Sequence, residues 1–309
     1  MIPIKSSHLR RLDKLYRVCL LPFLPFLALL PPGQAGRLFA ASQVARTRAM
    51  ALLFDKIAPS GDDGELQFLH VGKAAGNSIK FAFDKAGNSP DSPPPPAEAG
   101  ANDGRRRPIR AWGHKYKLDY FAPEAAYVVN LREPVSRFFS GFYSRKRMGR
   151  PKKDVPHSFF EAIAFRAFPH ANELAEALSD RSFLKRLKAV FAMTTITHVG
   201  DPLTSWFSLA RVQSRPPVAV LVTERLEPSM QALARKLGQP DFEMPADKVE
   251  SHANTYSDTP PLSETARQNL AQWYAEDDRI YRYLTAQAVP AAEPEAPAAK
   301  PAADGTLPS

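Results

Sequence analysis

Residues 66–85 read LQFLHVGKAAGNSIKFAFDK, and this stretch decides the fold class. It begins as an apolar, strand-like run, turns at residues 72–76, and continues as a helix-compatible run from Asn77. The free N–H groups of a helix's first turn and the helix dipole both attract anions. Lys73 adds a full positive charge inside the turn. The pattern therefore predicts an α/β fold with an anion site after an early strand.

The order of Lys and Gly separates this turn from ordinary ATP-binding loops. A Walker A loop reads G-x-x-x-x-G-K-[ST], with the Lys directly after the last Gly. Here Lys73 stands three residues before Gly76. Asn77 and Ser78 follow, either as helix caps or as groups that touch a phosphate. On these residues alone, a plain strand–turn–helix unit with a solvated lysine explains the stretch equally well.

A second strand–turn–helix unit occupies residues 127–143, which read YVVNLREPVSRFFSGFY. The first five residues are typical of a buried strand, and Pro134 suits the first turn of a helix. Arg132 therefore lies at the carboxyl end of a strand, where open α/β sheets bind ligands, and Ser140 follows about two helical turns after Pro134. A guanidinium can bind a phosphate through two hydrogen bonds. Arg137 either faces the same ligand or forms a salt bridge on the helix.

The two units together resemble the donor motifs of sulfotransferases that use 3′-phosphoadenosine 5′-phosphosulfate (PAPS). Residues 70–78 resemble the 5′-phosphosulfate loop, H-x-x-K-[TA]-[AG]-[GS]-[TN]-S, and residues 132–143 resemble the 3′-phosphate motif, R-x-P-x-x-R-x-x-S-x-x-Y. The resemblance covers about residues 65–285 and is thin between 144 and 215. It implies an α/β, P-loop-NTPase-like three-layer sandwich whose central, mainly parallel sheet is flanked by helices.

The resemblance also implies roles for individual residues. Residues of the first motif would hold the 5′-phosphosulfate, and Arg132 with Ser140 would bind the 3′-phosphate. The first-motif residues are Lys73, Ala74, Ala75, Gly76, Asn77 and Ser78. The chain departs from the family pattern at Gly72, where relatives often carry Pro, and at Ala74-Ala75, which lack the usual Thr hydroxyl. Backbone N–H groups are expected to replace that donor.

His114 is the candidate catalytic base. It lies in GHKYKLDYF, a segment similar to uronyl 2-O-sulfotransferases of the heparan sulfate group, in which a Gly-His pair carries the base. A neutral imidazole accepts a hydroxyl proton near neutral pH, and Lys73 would neutralise charge on the bridging oxygen. His198 and Glu224 are the next candidates, although packing is favoured for the first and an architectural role for the second. No metal is expected, because the histidines show no H-E-x-x-H spacing.

Composition favours anionic ligands and limits the chemistry of the chain. The 309 residues carry a formal charge of +9. A single cysteine, Cys19, excludes an internal disulfide and a Cys-based zinc site, which suits a reducing compartment. The basic runs at 105–110 and 144–153 are either solvated surfaces or walls of an acceptor cleft. The expected acceptor is a hydroxyl of a glycan or glycolipid, with no nucleic acid partner.

Three regions are predicted along the chain. Residues 1–60 form a helical, basic and apolar extension, residues 61–286 form the sulfotransferase domain with a Pro-rich loop at 86–108, and residues 287–309 form a disordered Ala/Pro tail. The apolar run at 18–31 is too short and too Pro-rich to span a bilayer. It is a signal-like segment, a peripheral membrane contact or a packed helical hairpin. Because the donor is a nucleotide, a cytoplasmic location is expected, with membrane association left open.

Two other function classes compete with this interpretation. A P-loop-like nucleotide kinase or NTPase would need the Lys and the magnesium-binding hydroxyl of a Walker A loop, and both are misplaced here. A non-catalytic module that binds polyanions would explain the positive charge. It would not explain two donor motifs in the expected order.

Overall fold

The computed structural model describes residues 6–53, 65–87, 109–151, 153–240, 242–245 and 259–288. Most of the predicted Pro-rich loop, including Arg105, Arg106 and Arg107, lies outside the described residues, as do residues 54–64 and the tail from residue 289. The strands are β1 (Leu66–Leu69), β2 (Ile109–Ala111), β3 (Tyr127–Leu131) and β4 (Ala219–Val222).

Helices make up most of the rest of the described chain. They are α1 (Ser6–Leu20), α2 (Leu24–Leu29), α3 (Pro32–Leu53), α4 (Gly76–Lys85), α5 (Pro134–Lys146), α6 (Phe159–Ala167), α7 (Ala171–Glu176), α8 (Phe183–Thr195), α9 (Leu209–Ser214), α10 (Leu226–Leu237), α11 (Glu264–Trp273) and α12 (Ala275–Gln287). α11 and α12 meet at Tyr274, whose hydroxyl donates to the Val199 carbonyl at 3.0 Å.

The four strands form one sheet in the order β2-β1-β3-β4, and every pair is parallel. The α/β class predicted from the sequence is confirmed. From β1 the chain crosses through α4 to β2 on one side, and it then returns past β1 to β3 on the other side. The strand order therefore reverses between β1 and β3. In open α/β sheets, ligands bind at the carboxyl ends of the strands at such a reversal.

Helices cover both faces of the sheet. Because successive side chains in a strand point to opposite sides, each strand contributes to two apolar clusters. Phe68, Val128 and Leu221 pack with apolar residues of α4 and α10. Leu69 and Val129 lie in the second apolar cluster, with residues of α12 and with Trp206. The strands are thus mostly apolar and buried on both sides, which is typical of parallel sheets covered by helices, with Gln67 and Asn130 as buried polar exceptions.

A third apolar cluster joins the N-terminal helices to the helices that follow the sheet. Leu24 and Leu27 of α2 and Phe39 of α3 share one buried core with Phe138 of α5 and Trp273 of α11. The segment predicted as an N-terminal extension is helical where it is described, and it supplies part of this core. Three interpretations were open for residues 18–31. The inner face of this segment packs against the core, as the interpretation as a packed helical hairpin expects.

The outer face of the same segment is apolar and open to solvent. Phe23, Phe26 and Leu29 are 62%, 57% and 65% exposed, while Leu24 and Leu27 between them are buried. Among the described residues, no helix is both long enough and apolar enough to span a bilayer.

Gly36→Ala tests the close packing of α3 on α11. A Cβ at Gly36 would lie 2.1 Å from the Trp273 carbonyl oxygen. Because that oxygen belongs to the backbone, the clash can be relieved only if one of the two helices moves. We expect a loss of about 1–3 kcal/mol or more in the free energy of unfolding, measured by urea denaturation. Gly33→Ala in the same helix is the matched control, because its Cβ would meet Gln272 only at 3.6 Å. Equal stability of the two variants would contradict the packing described here.

Candidate functional site

The loop between β1 and α4 has an unusual backbone. Lys73 and Ala75 have φ of 68° and 58°, although neither is glycine, and each such residue costs of the order of 1–3 kcal/mol. Ala75 occupies the N-cap of α4 and has no side-chain oxygen to cap it. Asn77 and Ser78 lie inside the first turn, so neither is the N-cap, and their contact with a phosphate stays a prediction. The helix thus presents its N-terminal N–H groups without an N-cap side chain, an arrangement that suits an anion.

Asn130 of β3 holds this loop in place. Its Oδ1 accepts a hydrogen bond from the Val71 N–H at 2.7 Å, and its Nδ2 donates to the Val71 carbonyl at 3.1 Å and to the Ala74 carbonyl. Asn130 is fully buried, so its amide would be costly without these partners. The three bonds offset the strain of the loop and tie it to the neighbouring strand.

Gly76 lets the helix begin directly against His70. A Cβ at Gly76 would lie 1.9 Å from His70 Nε2, so any side chain there would displace the ring. The His70 ring also stacks on Phe68, with centroids 5.8 Å apart. Gly76 was predicted to bind the sulfate donor. In the structure it also leaves the space that the His70 ring occupies, so a larger residue would not fit there.

Arg132 and Ser140 follow β3, the strand adjacent to β1. Leu69 is in register with Val129, so the chain leaves both strands at the same edge of the sheet. Arg132 Nε donates to Ser136 Oγ at 3.0 Å, and Ser140 is buried on α5. The predicted donor residues after β1 and after β3 therefore emerge side by side, at the point where the strand order reverses.

Glutamates fix the start of α5 at this edge. The Glu133 side chain accepts hydrogen bonds from the N–H groups of Val135 and Ser136 and so caps the helix. Glu224, which follows β4, accepts a bond from the Glu133 N–H at 2.9 Å and one from the Tyr281 hydroxyl at 3.3 Å. These contacts agree with the architectural role favoured for Glu224.

Three histidines converge at the same edge. The His114 ring lies 5.9 Å from the His70 ring and 5.4 Å from the His198 ring, in edge-to-face arrangements. Burial, together with repulsion from Lys115, lowers the pKa of His114 to about 4, and burial also holds the pKa values of His70 and His198 well below their usual range. All three imidazoles are therefore neutral near pH 7, the form in which an imidazole can accept a proton.

His198 has a closer relation to the site than sequence reasoning gave it. Its φ is 71°, and its ring reaches the loop, since a Cβ at Gly72 would lie 3.2 Å from His198 Nδ1. On its other side, Gly141 of α5 leaves room for the His198 side chain, because a Cβ there would lie 3.2 Å from the His198 Cβ. Packing was favoured for His198; the structure adds contact with Gly72 and with His114.

A buried ionic network behind His198 was not found from the sequence. The His198 N–H donates to Asp201 at 3.3 Å, and Arg17 of α1 binds Asp201 at 2.9 Å. Arg17 also donates to the Thr194 and Thr195 carbonyls at the end of α8. The N-terminal helix thus orients the turn that carries His198. The side chains that form this network are up to 184 residues apart in the chain, and no local pattern marks them.

Positive charge is concentrated around Lys73. Burial, together with repulsion from Arg132, Arg147 and Lys153, lowers the pKa of Lys73 to about 8. An anion bound beside Lys73 would offset that repulsion and favour the charged form of the lysine. A phosphate or a sulfate would therefore stabilise this buried lysine more than it would stabilise a lysine exposed to solvent.

Several other predicted cations serve structure. Arg137 is buried, donates to the Asp201 carbonyl at 2.7 Å and pairs with Asp277 at 3.5 Å, as the salt-bridge interpretation expects. Arg145 in the basic run 144–153 is buried against Glu161 at 2.8 Å. Within the described parts of the chain, no group of three or more His, Cys, Asp or Glu residues is placed to hold a metal ion.

Comparison with protein-family models, with curated proteins and with solved structures found no match for this chain.

The role of Asn130 can be tested by Asn130→Asp. The substitution replaces the donor Nδ2 with an oxygen that faces the Val71 and Ala74 carbonyls, so both bonds become repulsive contacts. We expect a loss of about 1–3 kcal/mol in the free energy of unfolding, and faster hydrogen exchange across residues 71–76. Asn77→Asp is the control for the same chemical change, because an exposed acid in the first turn of α4 stabilises that helix. Unchanged exchange in the Asn130 variant would refute the role given to this side chain.

Proposed function

We propose that this protein is a PAPS-dependent sulfotransferase that moves a sulfuryl group to a hydroxyl of a carbohydrate or glycolipid. One observation carries the proposal. The loop that bears Lys73 and the segment that bears Arg132 and Ser140 leave adjacent parallel strands at the reversal of strand order. Two clusters of phosphate-binding groups at neighbouring strand ends suit a nucleotide with phosphates at two positions. The P-loop-NTPase-like architecture is part of the same proposal.

The donor would be held by charge and by backbone N–H groups. Lys73 and the start of α4, residues 74–78, would take the 5′-phosphosulfate, and Arg132 with Ser140 would take the 3′-phosphate. Ala74 and Ala75 offer no hydroxyl, so the grip in this part of the loop comes from the main chain. Its geometry is set in advance by Asn130, which lowers the cost of ordering the loop on binding.

The proposed reaction is an in-line displacement at sulfur. The acceptor oxygen forms a new bond to sulfur while the bond from sulfur to the phosphate oxygen breaks, and that oxygen keeps the electron pair. His114 takes the acceptor's proton, and Lys73 neutralises the charge that develops on the leaving oxygen. Most of the rate enhancement is then positioning and charge stabilisation, as in phosphoryl transfer. His198 is the second candidate for the base because its ring adjoins His114.

The acceptor and the cellular location follow from the same proposal. A glycan or glycolipid hydroxyl is the proposed acceptor, nucleic acid is not a proposed partner, and the donor's nature favours the cytoplasm. Phe23, Phe26 and Leu29 give residues 18–31 an exposed apolar face for peripheral membrane contact. Flotation with phosphatidylglycerol vesicles tests that contact, and a protein that stays at the bottom of the gradient argues against it.

Nucleotide preference is the experiment that tests the proposed function. Adenosine 3′,5′-bisphosphate should raise the melting temperature of the full chain more than ATP with Mg²⁺ does, because only the first nucleotide fills both phosphate clusters. Its affinity should fall as the pH rises above about 8, by up to tenfold per pH unit, because Lys73 loses its charge there. Lys73→Arg should bind with little pH dependence in that range, since arginine stays charged.

The result that overturns the proposal is stabilisation by ATP with Mg²⁺ and none by the bisphosphate, which would favour a kinase or NTPase. Stabilisation by heparin alone, without an effect of either nucleotide, would favour a polyanion-binding module.

His114→Ala separates catalysis from donor binding. Sulfation should fall by about 10²–10⁴-fold while the affinity for adenosine 3′,5′-bisphosphate is unchanged, because the imidazole takes the proton and does not hold the donor. In the parent protein the rate should fall on the acid side only as the pH approaches about 4, where His114 gains a proton. Rates measured with labelled PAPS on both proteins check this. Undiminished turnover would assign the base elsewhere, with His198→Ala as the next variant.

A further inference from the structure

A second cavity lies on the other side of the segment that carries His114. It is lined by residues of α1, α3 and 115–120, and its volume is about 220 Å³. Pockets for drug-sized ligands are roughly 300–1,000 Å³, so this cavity suits a smaller molecule. It shares no lining residue with the loop that bears Lys73, and an inference about it does not rest on the proposed sulfotransferase activity.

Lys117 gives this cavity an unusual wall. The residue is only 4% exposed, and its Nζ lies 4.0 Å from the centroid of the Trp206 ring. Among the described residues, no hydrogen-bond acceptor or carboxylate is paired with that Nζ. A buried lysine without an acidic partner is rare, because removing its charge from water is costly. The ring face offsets part of that cost and leaves the ammonium group without an anion.

The neighbouring carboxylates are already engaged by other cations. Asp13 binds Lys115 at 2.8 Å and also binds Arg46, while Asp201 binds Arg17 at 2.9 Å. Among the charged residues that line this cavity, three are cations, Arg46, Lys115 and Lys117, and one is a carboxylate, Asp13. The cluster lacks negative charge, and the cavity is where a further anion can enter.

The remaining walls are largely apolar. Leu12, Leu15 and Met50 line the cavity, together with the Tyr16 and Tyr120 rings. Arg46 and Lys115 also line the cavity, but both are paired with Asp13. A carboxylate on an aliphatic body would therefore satisfy both Lys117 and the apolar walls.

We propose that this cavity binds a small amphipathic monocarboxylate, with its head at Lys117 and its aliphatic body against Leu12, Leu15 and Met50. The bound head supplies the missing counter-charge. Trp206 joins this site to the candidate base, because its ring faces Lys117 and its Nε1 donates to the His114 carbonyl at 3.1 Å.

Binding at this site takes up a proton. Burial, with repulsion from Arg46 and Lys115, holds the pKa of Lys117 well below its usual range, although Asp201 and Asp13 act in the opposite direction. Tyr16 and Tyr120 also line the cavity, and the pKa values of their hydroxyls are raised, so both stay neutral. A carboxylate beside Lys117 favours the charged amine and so raises its pKa. Above the free lysine's pKa, a proton therefore enters with the ligand.

Hexanoate is the probe, and the full chain is titrated with it by calorimetry at several pH values in buffers of different ionisation enthalpy. We expect saturable binding, an enthalpy that changes with the buffer at the higher pH values, and a raised melting temperature. 1-Hexanol, which has the same aliphatic body without the charge, and acetate, which has the charge without the body, should each bind more weakly by about tenfold or more.

Lys117→Met should weaken hexanoate by about tenfold or more and abolish the buffer dependence. The variant should fold, because methionine fills a similar volume without a charge to bury. Lys188→Met, at an exposed position on α8, is the matched control and should bind hexanoate as the parent protein does. In the parent protein, hexanoate should also slow acylation of Lys117 by acetic anhydride, measured by peptide mass spectrometry, and should leave Lys188 unaffected.

The proposal is overturned if hexanoate neither binds nor protects Lys117, or if Lys117→Met binds it as tightly as the parent protein. Equal affinity for hexanoate and 1-hexanol would also overturn it, because the cavity would then recognise only the aliphatic body.

Discussion

The amide of Asn130 is the interaction on which the site depends. It lies in the interior of a parallel sheet, where a polar side chain must find partners, and it finds them in the loop that leaves the neighbouring strand. Through these bonds the left-handed residues Lys73 and Ala75 keep a conformation that a free loop would rarely adopt. The sheet thereby does more than place two loops side by side. Through Asn130, β3 fixes the backbone of the loop that follows β1, while β3 itself leads to the segment with Arg132. An anion would therefore meet N–H groups that are already oriented.

Charge is distributed unevenly around this loop. Lys73 is largely removed from water and surrounded by other cations, whereas the nearby His114 is neutral because burial and Lys115 oppose its protonation. Such a site is unfavourable when empty and improves when negative charge enters. The same physical condition, in which buried cations outnumber carboxylates, recurs at Lys117 behind the His114 segment. Free energy given up in these two places is recovered from the helical core and from the apolar faces of the sheet.

The N-terminal helices link these regions. Their apolar faces complete the core formed by the helices after the sheet, and Arg17 reaches across to Asp201 and to the end of α8. One helix thus contributes to the support of His198 and, through Asp13, to a wall of the second cavity. The outward face of α2 is a separate matter. Phe26 of this helix and Phe23 just before it are largely exposed, so this face contributes little to the core.

The sequence by itself determined the α/β class, the two strand–turn–helix units and the residues that leave the strands. These are local properties, since apolar runs, the Pro at the start of α5 and the turn at residues 72–76 act over a few positions. Asn130 was also detectable in principle, as an amide within an apolar strand. Only the tertiary structure decided that His198 touches the His114 segment, that Arg137 turns inward, and that Lys117 faces a cavity. Each of these depends on contacts between segments that are far apart in the chain. In such contacts, burial and the neighbouring side chains set the role of a residue. The spacing of residues within one segment does not encode them.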